Sequence, residues 1–185
     1  MVVDVQNGFV NEQSAHVVPV IDDLAGQWLA AGGRVIFTRY RNEPGSLYER
    51  LIGWYELHSP DQIALSPQLE HHLDDARAEV IDKTVYSALT GQGLAAVEAA
   101  GFTEVVVCGI ATDACVLATV LSAFDRGLTP WVVTDACASN ASRHEAAEVH
   151  RIALILMGRL IGEGQLITVQ EALMLLPAAA LRQSS

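Results

Sequence analysis

Residues 109–116 read Gly-Ile-Ala-Thr-Asp-Ala-Cys-Val, "GIATDACV", and they mark a change of period in the chain. Just before Gly109, "EVVVC" (104–108) is a short β-branched run of the kind found in a sheet covered on both faces. After Cys115, "VLATVLSAFDR" (116–126) repeats its apolar residues at helical spacing as far as Gly127, a stop signal. A strand therefore gives way to a helix here, with Thr112 or Asp113 as N-cap and Cys115 in the first helical turn. Unpaired N–H groups and the helix dipole favour negative charge at that position, so a thiolate is easier to form. An isolated cysteine in this setting is a candidate nucleophile.

The same alternation runs outward in both directions. Strand-like runs cover 1–4, 34–38, 79–83, 104–109, 130–134 and 166–169, with helical patterns at 20–31, 94–100, 116–126 and 144–161. Gly32-Gly33, Gly101, Gly127 and Gly162 serve as stops. Such a pattern predicts an α/β three-layer sandwich: a six-stranded, mainly parallel sheet with helices on both faces, formed by one domain over 1–185. Ligands of these sheets gather beyond the carboxyl ends of the strands, where the strand order reverses. The first strand is short for a central one, which suggests a truncated or misassigned start.

The segment 39–78 breaks the rhythm. A connection this long within a compact domain carries function or short helices of its own. Within it, "SLYERLIGWYEL" (46–57) predicts one helix with Leu47, Leu51 and Trp54 on a shared face. That face is either a stabilising cover or a lid that walls a small-molecule site.

Bulk properties narrow the function classes. The chain has 185 residues, 51% hydrophobic and 18% charged, with a formal net charge of -11. Such a surface attracts neither nucleic acid nor anionic membrane. No run approaches membrane-spanning length, and the start carries no basic, apolar leader, so a cytoplasmic protein is expected. Cys108, Cys115 and Cys137 are too few for a disulfide framework or a zinc site. Cys108 and Cys137 read as packing residues. His71 and His72, in "EHHLDDARAE", read as a solvated helix face, and His144 and His150, six apart on a helix, do not share a face. No metal and no cofactor is expected. The tail "EALMLLPAAAL" (171–181) is apolar for a chain end and predicts a homo-oligomer.

Three polar residues stand at carboxyl ends of predicted strands: Asp4 in "DVQNGF", Lys83 in "DKTVYSAL" and Cys115 in "GIATDACV". A thiol nucleophile needs a base for its proton and a nearby cation to favour its thiolate. Asp4 and Lys83 supply those two roles. With its three motifs in this order, the chain resembles the isochorismatase-like cysteine hydrolases, which include nicotinamidases and other small-amide hydrolases.

The resemblance implies that Asp4 is the general base, Lys83 the charge-orienting partner and Cys115 the nucleophile of a covalent amide hydrolysis. It also implies a cis peptide between Ile110 and Ala111, with the amides of Ala111 and Cys115 as the oxyanion hole. Nicotinamidases of the family bind a metal through an aspartate and histidines after the second strand. Here that stretch is "FTRYRNEPGS" (37–46), which has neither. A small amide, carbamoyl or ureido substrate other than nicotinamide is therefore expected, with Phe9, Arg39, Trp54 and Tyr86 as its contacts. Arg41 and Asn42 are further candidates for holding a substrate carboxylate.

Other readings fit less of the sequence. Family members that cleave a vinyl ether work by acid chemistry and do not need the thiol. A phosphatase with Asp4 as nucleophile wants a second acid two residues on, where this chain has Gln6. A dinucleotide site wants a glycine-rich turn after the first strand, where the chain has "QNGF". A non-catalytic scaffold would have no use for the complete aspartate, lysine and cysteine set.

Overall fold

The computed structural model describes residues 1–176. In chain order the elements are β1 (Val2–Val3), α1 (Val18–Ala30), β2 (Val35–Tyr40), α2 (Pro60–Ile63), α3 (Pro67–Glu70), β3 (Ala78–Lys83), α4 (Gly91–Ala99), β4 (Glu104–Ile110), α5 (Leu117–Asp125), β5 (Thr129–Ala138), α6 (Ala146–Ile161), β6 (Leu166–Ile167) and α7 (Val169–Met174). The six strands form one sheet in the order β3-β2-β1-β4-β5-β6, and every pairing is parallel. Helix α1 packs with α7, and α5 with α6, which covers the sheet as the alternating pattern requires.

Short as it is, β1 is the hinge of the topology. Val2 pairs with Phe37 on one side and with Cys108 on the other, so the strand order reverses about it. The reversal opens a crevice at its carboxyl end. Val2, Val3, Phe37, Val107, Val132 and Val133 are all buried, each worth about 1.5–3 kcal/mol relative to exposure. Gly109 is indispensable to this junction. Its φ is +128°, and a Cβ there would sit 2.2 Å from the Val3 carbonyl oxygen, so only glycine lets β4 lie this close to β1.

Several expectations need correction. β5 extends to Ala138 rather than stopping near 134, because Cys137 and Ala138 pair with Gly109 and Ile110 beyond a register shift in β4. The single helix expected over 46–57 does not form. A five-residue π turn at Tyr48–Ile52 ends at Gly53, whose φ is +69°, and Leu57 is again left-handed at +61°. Leu47 and Leu51 face solvent while Trp54 packs inward, so the proposed common face is absent.

His72 is not solvated either. It is buried, with its ring stacked near Phe37. Cys108 and Cys137 are buried; burial pushes the Cys108 thiol up to about 11. No helix among the described residues is long and apolar enough to cross a membrane. Of the apolar tail, 177–181 lies outside the described residues.

Candidate active site

Asp4, Lys83 and Cys115 come from three different strand ends and meet in the crevice. Asp4 follows β1 with φ +50°, a left-handed conformation that aspartate tolerates better than most side chains. It is held there from β2. The Asp4 N–H donates to the Thr38 carbonyl at 3.2 Å, and the Thr38 hydroxyl donates to Asp4 Oδ1 at 2.7 Å. The other carboxylate oxygen, Oδ2, lies 2.6 Å from Lys83 Nζ, in a pair from which solvent is excluded.

Lys83, the last residue of β3, also donates to the carbonyls of Val85 and Tyr86, both at 2.9 Å. These two carbonyls and the Asp4 carboxylate surround the ammonium. Burial alone would lower the Lys83 pKa, but the Asp4 carboxylate and Cys115 outweigh it and hold the ammonium charged. A buried pair with this degree of hydrogen bonding fixes geometry more than it adds stability.

Cys115 lies within hydrogen-bonding reach of both Asp4 and Lys83. It is carried by a π turn over Thr112–Val116 that precedes α5. Neither Thr112 nor Asp113 caps the turn: Ala111 occupies that position, without a side-chain bond. The Thr112 hydroxyl instead shares a 2.8 Å hydrogen bond with His150 Nδ1 on α6. Behind Cys115, the Thr119 hydroxyl donates to the Cys115 carbonyl at 2.7 Å and accepts from the Ala88 N–H at 2.9 Å. This ties the turn to the loop that follows Lys83. The peptide between Ile110 and Ala111 is cis.

The thiol is not set up as the helix-dipole argument suggested. Burial, then the Asp4 carboxylate, pushes the Cys115 pKa well above its ordinary value, and the pull of Lys83 does not reverse this. The resting residue is a neutral thiol beside a carboxylate. A thiolate can form here only if a neighbour takes the proton, and Asp4 is a carboxylate within reach.

Above this floor is a cavity of about 150 Å³. Ala111, Ala114 and Cys115 form its base, Asn140 one edge, and Phe9, Tyr40, Tyr48, Ile52, Trp54 and Tyr86 its walls. Phe9 and Trp54 lie parallel at 5.5 Å between ring centroids, and Tyr86 meets Tyr48 edge-on at 4.9 Å. No charged side chain lines the cavity among the described residues. Burial raises the pKa of Tyr40 and Tyr48, so their hydroxyls stay neutral.

Three of the four expected substrate contacts, Phe9, Trp54 and Tyr86, line this cavity. Arg39 does not. Its Nε donates to Asp82 Oδ1 at 2.7 Å, and Arg41 takes the second oxygen of the same carboxylate at 3.2 Å. Strand alternation explains this: Thr38 and Tyr40 face the site from β2, so Arg39 points to the opposite face.

Asn42 has a different task from the one expected. Its Oδ1 accepts from Tyr40, Ser46 and the Glu43 amide, and its Nδ2 donates to the carbonyls of Trp54 and Glu56. It organises the wall. Sequence reading also missed Gln6, which is buried and exchanges hydrogen bonds with the Tyr40 backbone while donating to the Ile63 carbonyl. Its neighbour Asp4 was the only hint.

Comparison with known proteins places the chain in a family and a fold. The isochorismatase domain family matches residues 1–162. A streptothricin hydrolase from Streptomyces noursei is 31% identical over 133 residues, 69% of this chain and 44% of that protein. The chain thus spans less than half the length of that curated relative. Among solved structures, a cysteine hydrolase from Pseudomonas syringae pv. phaseolicola superposes with a TM-score of 0.80 at 24% identity, covering 96% of this chain and 91% of that one. A pyrazinamidase/nicotinamidase from Streptococcus mutans gives 0.75 at 22% identity, covering 90% and 96%. At these identities the structural matches establish the shared fold.

Proposed function

Since the chain belongs to the isochorismatase domain family, we propose that it is a cysteine hydrolase of small, uncharged amides, carbamoyl compounds or ureas. The observation that carries this reading is the solvent-excluded Asp4–Lys83 pair at 2.6 Å with Cys115 in reach of both, at the base of an aromatic cavity. The relatives' names, among them a streptothricin hydrolase and a nicotinamidase, support C–N bond hydrolysis.

The chemistry runs in two halves. Substrate enters with its carbonyl carbon against Cys115 Sγ. Asp4 accepts the thiol proton as sulfur attacks, and the amides of Ala111 and Cys115 hold the oxyanion, each such donor being worth about 2.7–4 kcal/mol. Asp4 returns the proton to the departing nitrogen, leaving a thioester and free ammonia or amine. Water then gives a proton to Asp4 and attacks the thioester; the proton passes back to sulfur as the acid leaves. Lys83 stays an ammonium throughout, balancing whichever of Asp4 and Cys115 is anionic.

The wall limits what enters. An anionic substrate would need a cation to replace its water, and the two nearby arginines are taken up by Asp82. The net charge of -11 repels it further. A small planar amide facing the Trp54 indole fits both the volume and the chemistry.

Self-association is part of the same proposal. Ile152, Ile155, Leu156 and Leu160 leave an exposed apolar stripe on α6, beyond what a lone surface helix needs. Light scattering at micromolar concentration should give a mass above that of one chain.

The test is ammonia release from a panel of neutral and carboxylate-bearing amides and ureas. At least one neutral member should turn over, and Cys115→Ala should lose that activity by about a thousandfold or more. Turnover confined to carboxylates, or retained by Cys115→Ala, would overturn the reading.

A further inference from the structure

On the face of the sheet covered by α1, away from the cavity, three ligand-type side chains converge. Asp22 stands midway along α1, and His71 and His72 form the start of a 3-10 turn that follows α3. His72 Nε2 lies 2.7 Å from Asp22 Oδ1, and His71 Nε2 lies 3.5 Å from the same oxygen. The three ligand atoms all fall within 4.8 Å of one another. We propose that Asp22, His71 and His72 form a structural site for a divalent transition metal of the zinc type.

The geometry is close to what such an ion requires. With bonds of about 2.0–2.1 Å, neighbouring ligands of a tetrahedral zinc stand about 3.3 Å apart. The His71–Asp22 separation already matches. The His72–Asp22 hydrogen bond has to open by roughly half an ångström to admit the ion. Two imidazoles and a carboxylate are a favourable ligand set for this metal.

A simple tether would not need both rings. His72 alone, bonded to the Asp22 carboxylate and to its carbonyl at 3.1 Å, already joins the turn to α1. His71 nevertheless lies beside it, tilted by 39° at 3.9 Å between ring centroids, with its Nε2 turned to the same oxygen. Two imidazoles aimed at one carboxylate oxygen gain most when a dication lies between them.

The surroundings suit a structural ion. His72 is buried against Phe37 and fixes one ligand rigidly. The His71 side chain is 62% exposed, which leaves an entry path and room for water as the fourth ligand. None of the three residues lines the cavity. The metal would clamp α1 to the segment leading into β3, so it would act on stability and leave the chemistry alone.

Calorimetric titration of the chelator-stripped chain with Zn²⁺ tests this, with thermal unfolding followed in parallel. One equivalent should bind and raise Tm, and His71→Ala, altered at a largely exposed position, should bind about tenfold more weakly or worse. Co²⁺ in place of Zn²⁺ should give visible bands without thiolate-to-cobalt charge transfer. Amide turnover should be the same with and without chelator, which separates this proposal from the hydrolase reading. Absence of saturable uptake, uptake unchanged in both His71→Ala and Asp22→Asn, or a thiolate band that places the metal on Cys115 would overturn it.

Discussion

The floor beneath the cavity and the wall around it are built on opposite principles. The floor is charged, dry and anchored to strand ends: Asp4 to Thr38, Lys83 to two carbonyls and to Asp4, Cys115 through Thr119. Each anchor is a hydrogen bond or ion pair to an element fixed by the parallel sheet. The wall is aromatic and local. Its members hold one another edge-on or in stacks, and Asn42 gathers the turn beneath them, while Leu47, Leu51 and Tyr55 stay exposed on its outer side. Under the proposed hydrolysis, a structure divided in this way would let the wall change its substrate without disturbing the proton path below it.

The largest effect should come from the floor. Asp4→Asn removes the group that the proposed mechanism uses to take the thiol proton, and kcat should fall by about a hundredfold to ten-thousandfold. The same variant should also make Cys115 easier to ionise, because burial and then the Asp4 carboxylate are what raise its pKa. In the wild type, alkylation by a small neutral reagent should be slow at neutral pH and climb only above the ordinary thiol value of 9.0. In Asp4→Asn the climb should begin at lower pH. Faster alkylation alongside lost turnover is the signature; slower alkylation would mean that Asp4 does not load the thiol.

The wall should respond differently. Trp54→Ala removes one side of the Phe9–Trp54 pair and should raise KM by about tenfold, equivalent to about 1.4 kcal/mol of binding. The denaturant midpoint should shift less than for a core aromatic, whose loss costs about 3–5 kcal/mol. An unchanged KM with a large stability loss would make Trp54 part of the core. Smallest of all is Leu51→Ser on the outer side. It should leave KM unchanged and stability within about 0.5 kcal/mol, whereas a clear loss of either would show that the outer apolar side chains are in use.

The same division explains what the sequence disclosed. Asp4, Lys83 and Cys115 stood out in the sequence because each ends or follows a short β-branched run, and such runs announce strand ends without tertiary information. Thr38 and Gln6 were not, since their roles depend on pairing between β1 and β2, which are distant in the chain. The helix expected over 46–57 failed because periodicity outweighed Gly53, whose left-handed φ turns the chain so that Trp54 faces inward. Arg39 was misjudged for want of its strand partner Asp82. His72 was misjudged because a polar neighbourhood in sequence says nothing of the packing of α1 and Phe37 against it.

The central claim is that Cys115 becomes covalently acylated during turnover. Acid-quenched mass spectrometry of the enzyme, turning over its best neutral amide, measures this directly. The account predicts a mass increase equal to the acyl group, confined to the peptide that carries Cys115 and absent from Cys115→Ala. An adduct on Asp4, or steady turnover by Cys115→Ala with no adduct anywhere on the chain, would contradict it.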